Sequence, residues 1–228
     1  MPQCPRSKQD QRVIIRRKML CSAFCNTAHF DFTRCFVHDL FYGGMDQNAK
    51  RSGGSRLFLA VVPDADAAAR IHRLARALKQ AHKFDRAIIE PERLHVSLFF
   101  LGELSEHIVR IAFEAAAEVR AQPFEVRFDR SVSFGGRAGN RPFVLVGDDG
   151  LDRLMSFRRT LGVALASRGL RRLASKDFTP HITLLYAERT LEEHPIEPIR
   201  WTVNEFVLIH SMNGHVHLGR WPLRSCGG

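Results

Sequence analysis

Two short stretches of the chain place a histidine and a hydroxyl residue two positions apart inside otherwise apolar runs: LHVSLFFL at 94–101 and PHITLLY at 180–186. Side chains alternate between the faces of an extended strand, so His95 projects together with Ser97, and His181 with Thr183. Val96, Leu98, Ile182 and Leu184 then face the other way, into a core. Imidazoles titrate near neutral pH, so of two facing each other one can take a proton from water while the other gives one to a leaving oxygen. The two hydroxyls supply donors to the non-bridging oxygens of an anion whose charge shifts during reaction. No carboxylate accompanies either motif, and the spacing is not the helical His-x3-His of a zinc site, so this chemistry calls for no metal. A phosphodiester opened by in-line attack suits such a site. A cyclic one suits it best, because its leaving oxygen stays tethered.

The elements that must position these residues occur twice. RLFLAVVP (56–63) reads as a strand and is followed by DADAAARIHRLARALKQAH, whose Ala, Ile and Leu recur at helical spacing behind an aspartate suited to N-capping. A loop then leads to the first motif. RPFVLVG (141–147) reads as a strand and GLDRLMSFRRTLGVALASRG as a helix stopped by Gly169, before the second motif. Phe58 precedes His95 by 37 residues and Phe143 precedes His181 by 38, so two strand-helix-strand units end in the same element at nearly the same offset. A helix at about 104–121 and strands at FEVRFDRSVSF (124–134), RWTVNEFVLIHS (200–211) and HVHLGRWPL complete the pattern. The expected fold is α+β: two pseudo-symmetric lobes, each a small, mainly antiparallel sheet with helices on its outer face and an active-site cleft between them.

The duplicated pair, with its flanks RLFLAVVPD, LHVSLFFLGE, FTPHITLLY and WTVNEFVLIHS over about residues 56–223, resembles the two-histidine phosphoesterase superfamily. The resemblance is to its RNA 2',3'-cyclic phosphodiesterase branch, also called LigT-like or 2'-5' RNA ligase. It implies hydrolysis of a terminal 2',3'-cyclic phosphate to a 2'-phosphate, or the joining or cleavage of 2'-5' linkages. It also implies His95 and His181 as the catalytic acid and base and Ser97 and Thr183 as phosphate-binding groups. Many members carry an arginine three residues after the second hydroxyl; Tyr186 stands there in this chain, as a stacking or hydrogen-bonding candidate for the nucleotide. Alternatives are a phosphodiesterase of small cyclic nucleotides and, in a different class, a non-catalytic RNA-end-binding module. Two titratable groups on opposite sides of a cleft favour the enzyme. The expected protein is a monomer that needs no cofactor and no membrane, with RNA ends or nucleotide 2',3'-cyclic phosphates as its partners; a cytoplasmic location is expected from the lack of targeting signals and from cysteine usage.

Composition bounds the rest. The chain has 228 residues and a formal charge of +10, of which residues 1–52 hold +5, with nine Lys/Arg against four Asp/Glu. The body from 53 to 228 is therefore only mildly basic, which suits a phosphate ligand. Residues 1–52 lack sustained periodicity and end in DQNAKRSGGS, so they read as a disordered leader or an upstream extension with Met45 as the natural start. Cys4, Cys21, Cys25 and Cys35 lie in that leader and Cys226 near the other end, which fits no disulfide framework and suits a reducing compartment. Cys21, Cys25, Cys35 and His38 lack the usual zinc spacing. His72, His82, His107 and His194 read as solvated, and HVH at 215–217 as edge-strand polarity rather than a metal pair. Arg158, Arg159, Arg171 and Arg172 read as helix charges before RNA contacts, Phe99 and Phe134 as core before stacking platforms. GGRAGN (135–140) reads as a hairpin turn, since no P-loop lysine comes after it.

Overall fold

The structure, a computed structural model, describes residues 56–103, 105–171, 178–211 and 214–224. The expectations for the leader, its cysteines and histidine, Cys226 and Arg172 fall outside those residues. Eight strands form two four-stranded sheets. The first runs in the order β2-β1-β7-β8, from β1 (Arg56–Val61), β2 (Val96–Gly102), β7 (Glu205–Ser211) and β8 (His215–Pro222). The second runs β5-β4-β3-β6, from β3 (Phe124–Ser133), β4 (Arg141–Val146), β5 (Ile182–Ala187) and β6 (His194–Val203). Every strand pairing is antiparallel.

The two sheets are built alike, with the motif strand at one edge and the strand that opens its repeat beside it. Helix α1 (Ala65–Ala81) starts where Asp64 accepts the Ala67 N–H at 2.8 Å and buries Ala67, Ala68, Ile71 and Ala75. Helix α2 (Glu106–Glu118) is capped in the same way by Ser105, and α3 (Asp152–Ser167) is followed by Gly169 at φ +95°, a conformation that only glycine adopts without cost. The GGRAGN stretch closes the β3–β4 hairpin, with Arg137 bridged to Asn140.

The chain crosses between sheets where the sequence reads as continuous. RWTVNEFVLIHS is not one strand: Asn204 separates β6, in the second sheet, from β7, in the first. A run of aromatic contacts ties the sheets through α2 and α3: Phe124 of β3 meets Phe157 of α3, which meets Phe206 of β7, which stacks on Trp221 of β8, which meets Phe113 of α2. Centroid separations of 5.1–5.5 Å along this run are those of favourable aromatic pairs. Among the described residues no helix is long and apolar enough to cross a membrane.

Candidate active site

Both motif histidines stand immediately before their strands, His95 before β2 and His181 before β5, and they are held alike. The Nδ1–H of His95 donates to the Arg93 carbonyl at 2.7 Å, and that of His181 to the Thr179 carbonyl, also at 2.7 Å. A carbonyl oxygen can only accept, so each contact fixes the proton on Nδ1 and leaves Nε2 as the atom that exchanges a proton with a ligand. His95, Ser97, His181, Thr183 and Tyr186 all line one cavity of about 430 Å³. All five residues picked from the sequence are thus brought together.

Beyond the motifs, period-2 alternation fails in the same way in both strands. Ala60 pairs with Ser97 and Leu59 with Phe99, so Leu98 is an extra residue; Val144 pairs with Thr183 and Phe143 with Leu185, so Leu184 is extra. Such a bulge turns the strand and re-aims the side chains beyond it. Two consecutive residues after each hydroxyl are consequently buried, and the third returns to the cavity: Phe100, 52% exposed, and Tyr186, 39% exposed. The freed carbonyl of Leu98 accepts the Arg158 Nε–H at 3.1 Å, and that of Leu184 the Ile89 N–H at 2.7 Å.

Phe99 is accordingly core, and Arg158, expected as a helix charge, is pinned over the rings of Phe99 and Phe178 at 4.6 and 4.3 Å. Phe134 is half-buried, edge-on to His181 at 4.9 Å. Of the histidines read as solvated, His72 is only 22% exposed and lies 3.6 Å from Glu90.

The sequence reading missed several cavity residues: Arg56, Phe58, Arg93, Phe100 and His215. Arg93 is legible in principle, as a cation two positions before His95; it ends the short 3-10 turn Pro91–Arg93. Strand alternation, carried past the bulge, hid Phe100. In the sequence His215 stands out only as half of a metal-like pair; among the described residues no third ligand joins it. Among the described residues no carboxylate lines the cavity, and neither Arg56 nor Arg93 has an acidic partner. Burial pushes His95 below the ordinary histidine value against its hydrogen bond to the Arg93 carbonyl, and the nearby His181, Arg93 and His217 lower it further. His215 is pushed down to about 4, first by burial and then by His95, Arg93 and His217.

Two like-built lobes that offer paired histidine and hydroxyl groups to one cleft are the architecture of the two-histidine phosphoesterases. The chain belongs to the 2'-5' RNA ligase superfamily, whose sequence profile matches residues 53–215. An RNA 2',3'-cyclic phosphodiesterase of Archaeoglobus fulgidus is 30% identical over 129 residues, which are 57% of this chain and 70% of the relative. Among solved structures, E. coli LigT complexed with 3'-AMP superposes with a TM-score of 0.59 at 25% identity, over 76% of this chain and 100% of LigT. The TT0787 protein of Thermus thermophilus shares the fold, with a TM-score of 0.58 at 23% identity over 75% of this chain and 100% of its own.

Proposed function

We propose that this protein hydrolyses terminal 2',3'-cyclic phosphates of RNA to 2'-phosphates by metal-independent acid-base catalysis. The observation that carries this reading is the matched pair of histidines, each locked through Nδ1, facing one cavity that also holds two hydroxyls and two guanidinium groups and, among the described residues, no carboxylate. His95, kept neutral by burial, takes a proton from water as its oxygen forms the new bond to phosphorus. In the same step the bond from phosphorus to O3' breaks, and His181 delivers its Nε2 proton to O3'. Ser97 and Thr183 donate to the non-bridging oxygens, where charge develops. Arg56 and Arg93 supply the positive charge that Tyr186 does not. Phe100 and Tyr186 offer ring faces to nucleobases, which recognition of single-stranded RNA ends exploits. The archaeal relative named for this activity and the 3'-AMP held by LigT support the choice of substrate class. With a ribose 5'-hydroxyl in place of water the same step joins a 2'-5' linkage, O3' again leaving with the proton from His181, and the reverse of that step cleaves one.

The test is incubation of the purified protein, with chelator present, with an oligoribonucleotide ending in 2',3'-cyclic phosphate, and identification of the product by mass and phosphatase sensitivity. A 2'-phosphate is expected, with turnover falling roughly 10²–10⁴-fold in His95→Ala or His181→Ala, the usual worth of a general acid or base. Loss of activity in chelator would point to a metal-dependent enzyme. Binding without turnover, unchanged in the double variant, would leave an RNA-end-binding module.

A further inference from the structure

The two motif histidines are held by the same hydrogen bond but not by the same surroundings. Among the described residues His181 meets one ring, Phe134. His95 meets two: Phe58 of β1, with centroids 4.9 Å apart and planes inclined by 33°, and His215 of β8, at 5.0 Å and 70°. Phe58 and His215 also touch, edge-on at 5.6 Å, so the three rings close a triangle with the His95 imidazole as one corner. His215 reaches this place because β8 starts opposite the end of β7, with His215 paired to Ser211. It belongs to neither His-x-Ser/Thr motif, and nothing in the duplicated pattern calls for it.

We propose that His215 is a positioning residue for the proton acceptor: its ring, packed with Phe58 on that of His95, fixes the plane of the His95 imidazole and keeps water off it. Among the described residues the second lobe has no equivalent ring, so this packing makes two otherwise matched histidines inequivalent. The inference rests on the reading of His95 as the acceptor. The charged and titratable groups that face the two rings are Arg93 from the turn before His95, His181 from the opposite lobe and His217 from β8, with Arg220 and Glu205 around His217 in turn. His215 stays neutral down to about pH 4, so while His95 titrates it contributes packing and not charge.

That distinction sets the signs. Removing the ring hydrates His95 and raises its titration midpoint toward the ordinary 6.5; replacing it by another ring does not. The experiment follows the imidazole C–H resonances of the full chain by NMR across pH, without substrate, in the wild type, His215→Ala and His215→Phe, beside kcat/KM profiles on a 2',3'-cyclic phosphate. The expected result is an upward midpoint for His95 and an upward acid limb in His215→Ala. It includes a loss of about tenfold in kcat with KM unchanged, the cost of a loosened catalytic group. His215→Phe should return the midpoint and most of that loss. His215→Leu, which keeps bulk, serves if the alanine variant does not fold, and predicts a midpoint between the other two.

A His95 midpoint unmoved in His215→Ala would overturn the proposal. So would a His215→Phe variant as damaged as His215→Ala, because a ring nitrogen and not the packing would then be what matters. If the midpoints shift as expected but no variant, wild type included, turns over the cyclic phosphate, the packing stands and the substrate reading fails.

Discussion

At the level of single residues, the site is governed by what surrounds His95. Its value in the folded protein is depressed, so it remains unprotonated, and able to accept a proton, at pH values where a free histidine is charged. The acid limb of kcat/KM is therefore expected below pH 6.5, and a pH–rate profile on a cyclic phosphate substrate checks it. In the proposed mechanism Arg93 acts on this limb as well as on the ligand. Arg93→Gln removes a cation that disfavours protonation of His95, so the limb should move up, and KM should rise about tenfold, the worth of one charge-assisted hydrogen bond of roughly 1.5 kcal/mol. Ser97→Ala and Thr183→Ala should each lower kcat by roughly 10²–10³-fold, as loss of a donor to developing negative charge does. An unchanged kcat in either variant would remove that hydroxyl from the phosphate.

At the level of elements, the paired bulges decide what was legible. Strand-helix-strand repeats, the Asp64 cap, the Gly169 stop and the hairpin at 135–140 come from local chemistry, which a sequence states directly. A bulge depends on the partner strand, so the extra residues Leu98 and Leu184, and with them the exposure of Phe100, could not be read from alternation. The same limit applied to Asn204, where the chain changes sheets because of pairing rather than composition. If the re-aimed rings carry bases, Phe100→Ala and Tyr186→Ala should each weaken binding of a dinucleotide cyclic phosphate by about 1–3 kcal/mol, read as KM or as Kd in the His181→Ala background. A separate prediction concerns packing alone. A Cβ on Gly147, just after β4, would sit 2.4 Å from the Arg127 carbonyl oxygen of β3. Gly147→Ala should cost about 1–3 kcal/mol, seen as a lower urea midpoint, because backbone there cannot give way cheaply.

At the level of the molecule, the lobes differ in how they meet acid. His95, His210, His215 and His217 all sit in or beside the first sheet, and burial lowers each of them. A depressed folded value means that the unfolded chain takes up protons first. Stability should therefore fall as pH drops through 6.5 and continue to fall toward about 4, where His215 titrates. The chain's two tryptophans report the sheets separately, Trp221 on β8 of the first and Trp201 on β6 of the second. On acidification, Trp221 fluorescence in a Trp201→Phe variant should change at a higher pH than Trp201 fluorescence in Trp221→Phe. Coincident transitions would mean that the aromatic run through Phe157 and Phe206 makes the two lobes one cooperative unit.

The order of strands in the first sheet also has a consequence for how the protein is made. β1 is the first strand described, and its neighbour on one side is β7, the seventh of the eight described. During synthesis the side of β1 that will receive β7 is open until Glu205–Ser211 have left the ribosome, and an apolar strand with an unpaired edge is a template for wrong partners. His215 arrives later still, on β8. The second sheet, whose strands all lie between Phe124 and Val203, can close before that. The lobe that carries His95, the earlier of the two motif histidines, is thus the later of the two to be finished.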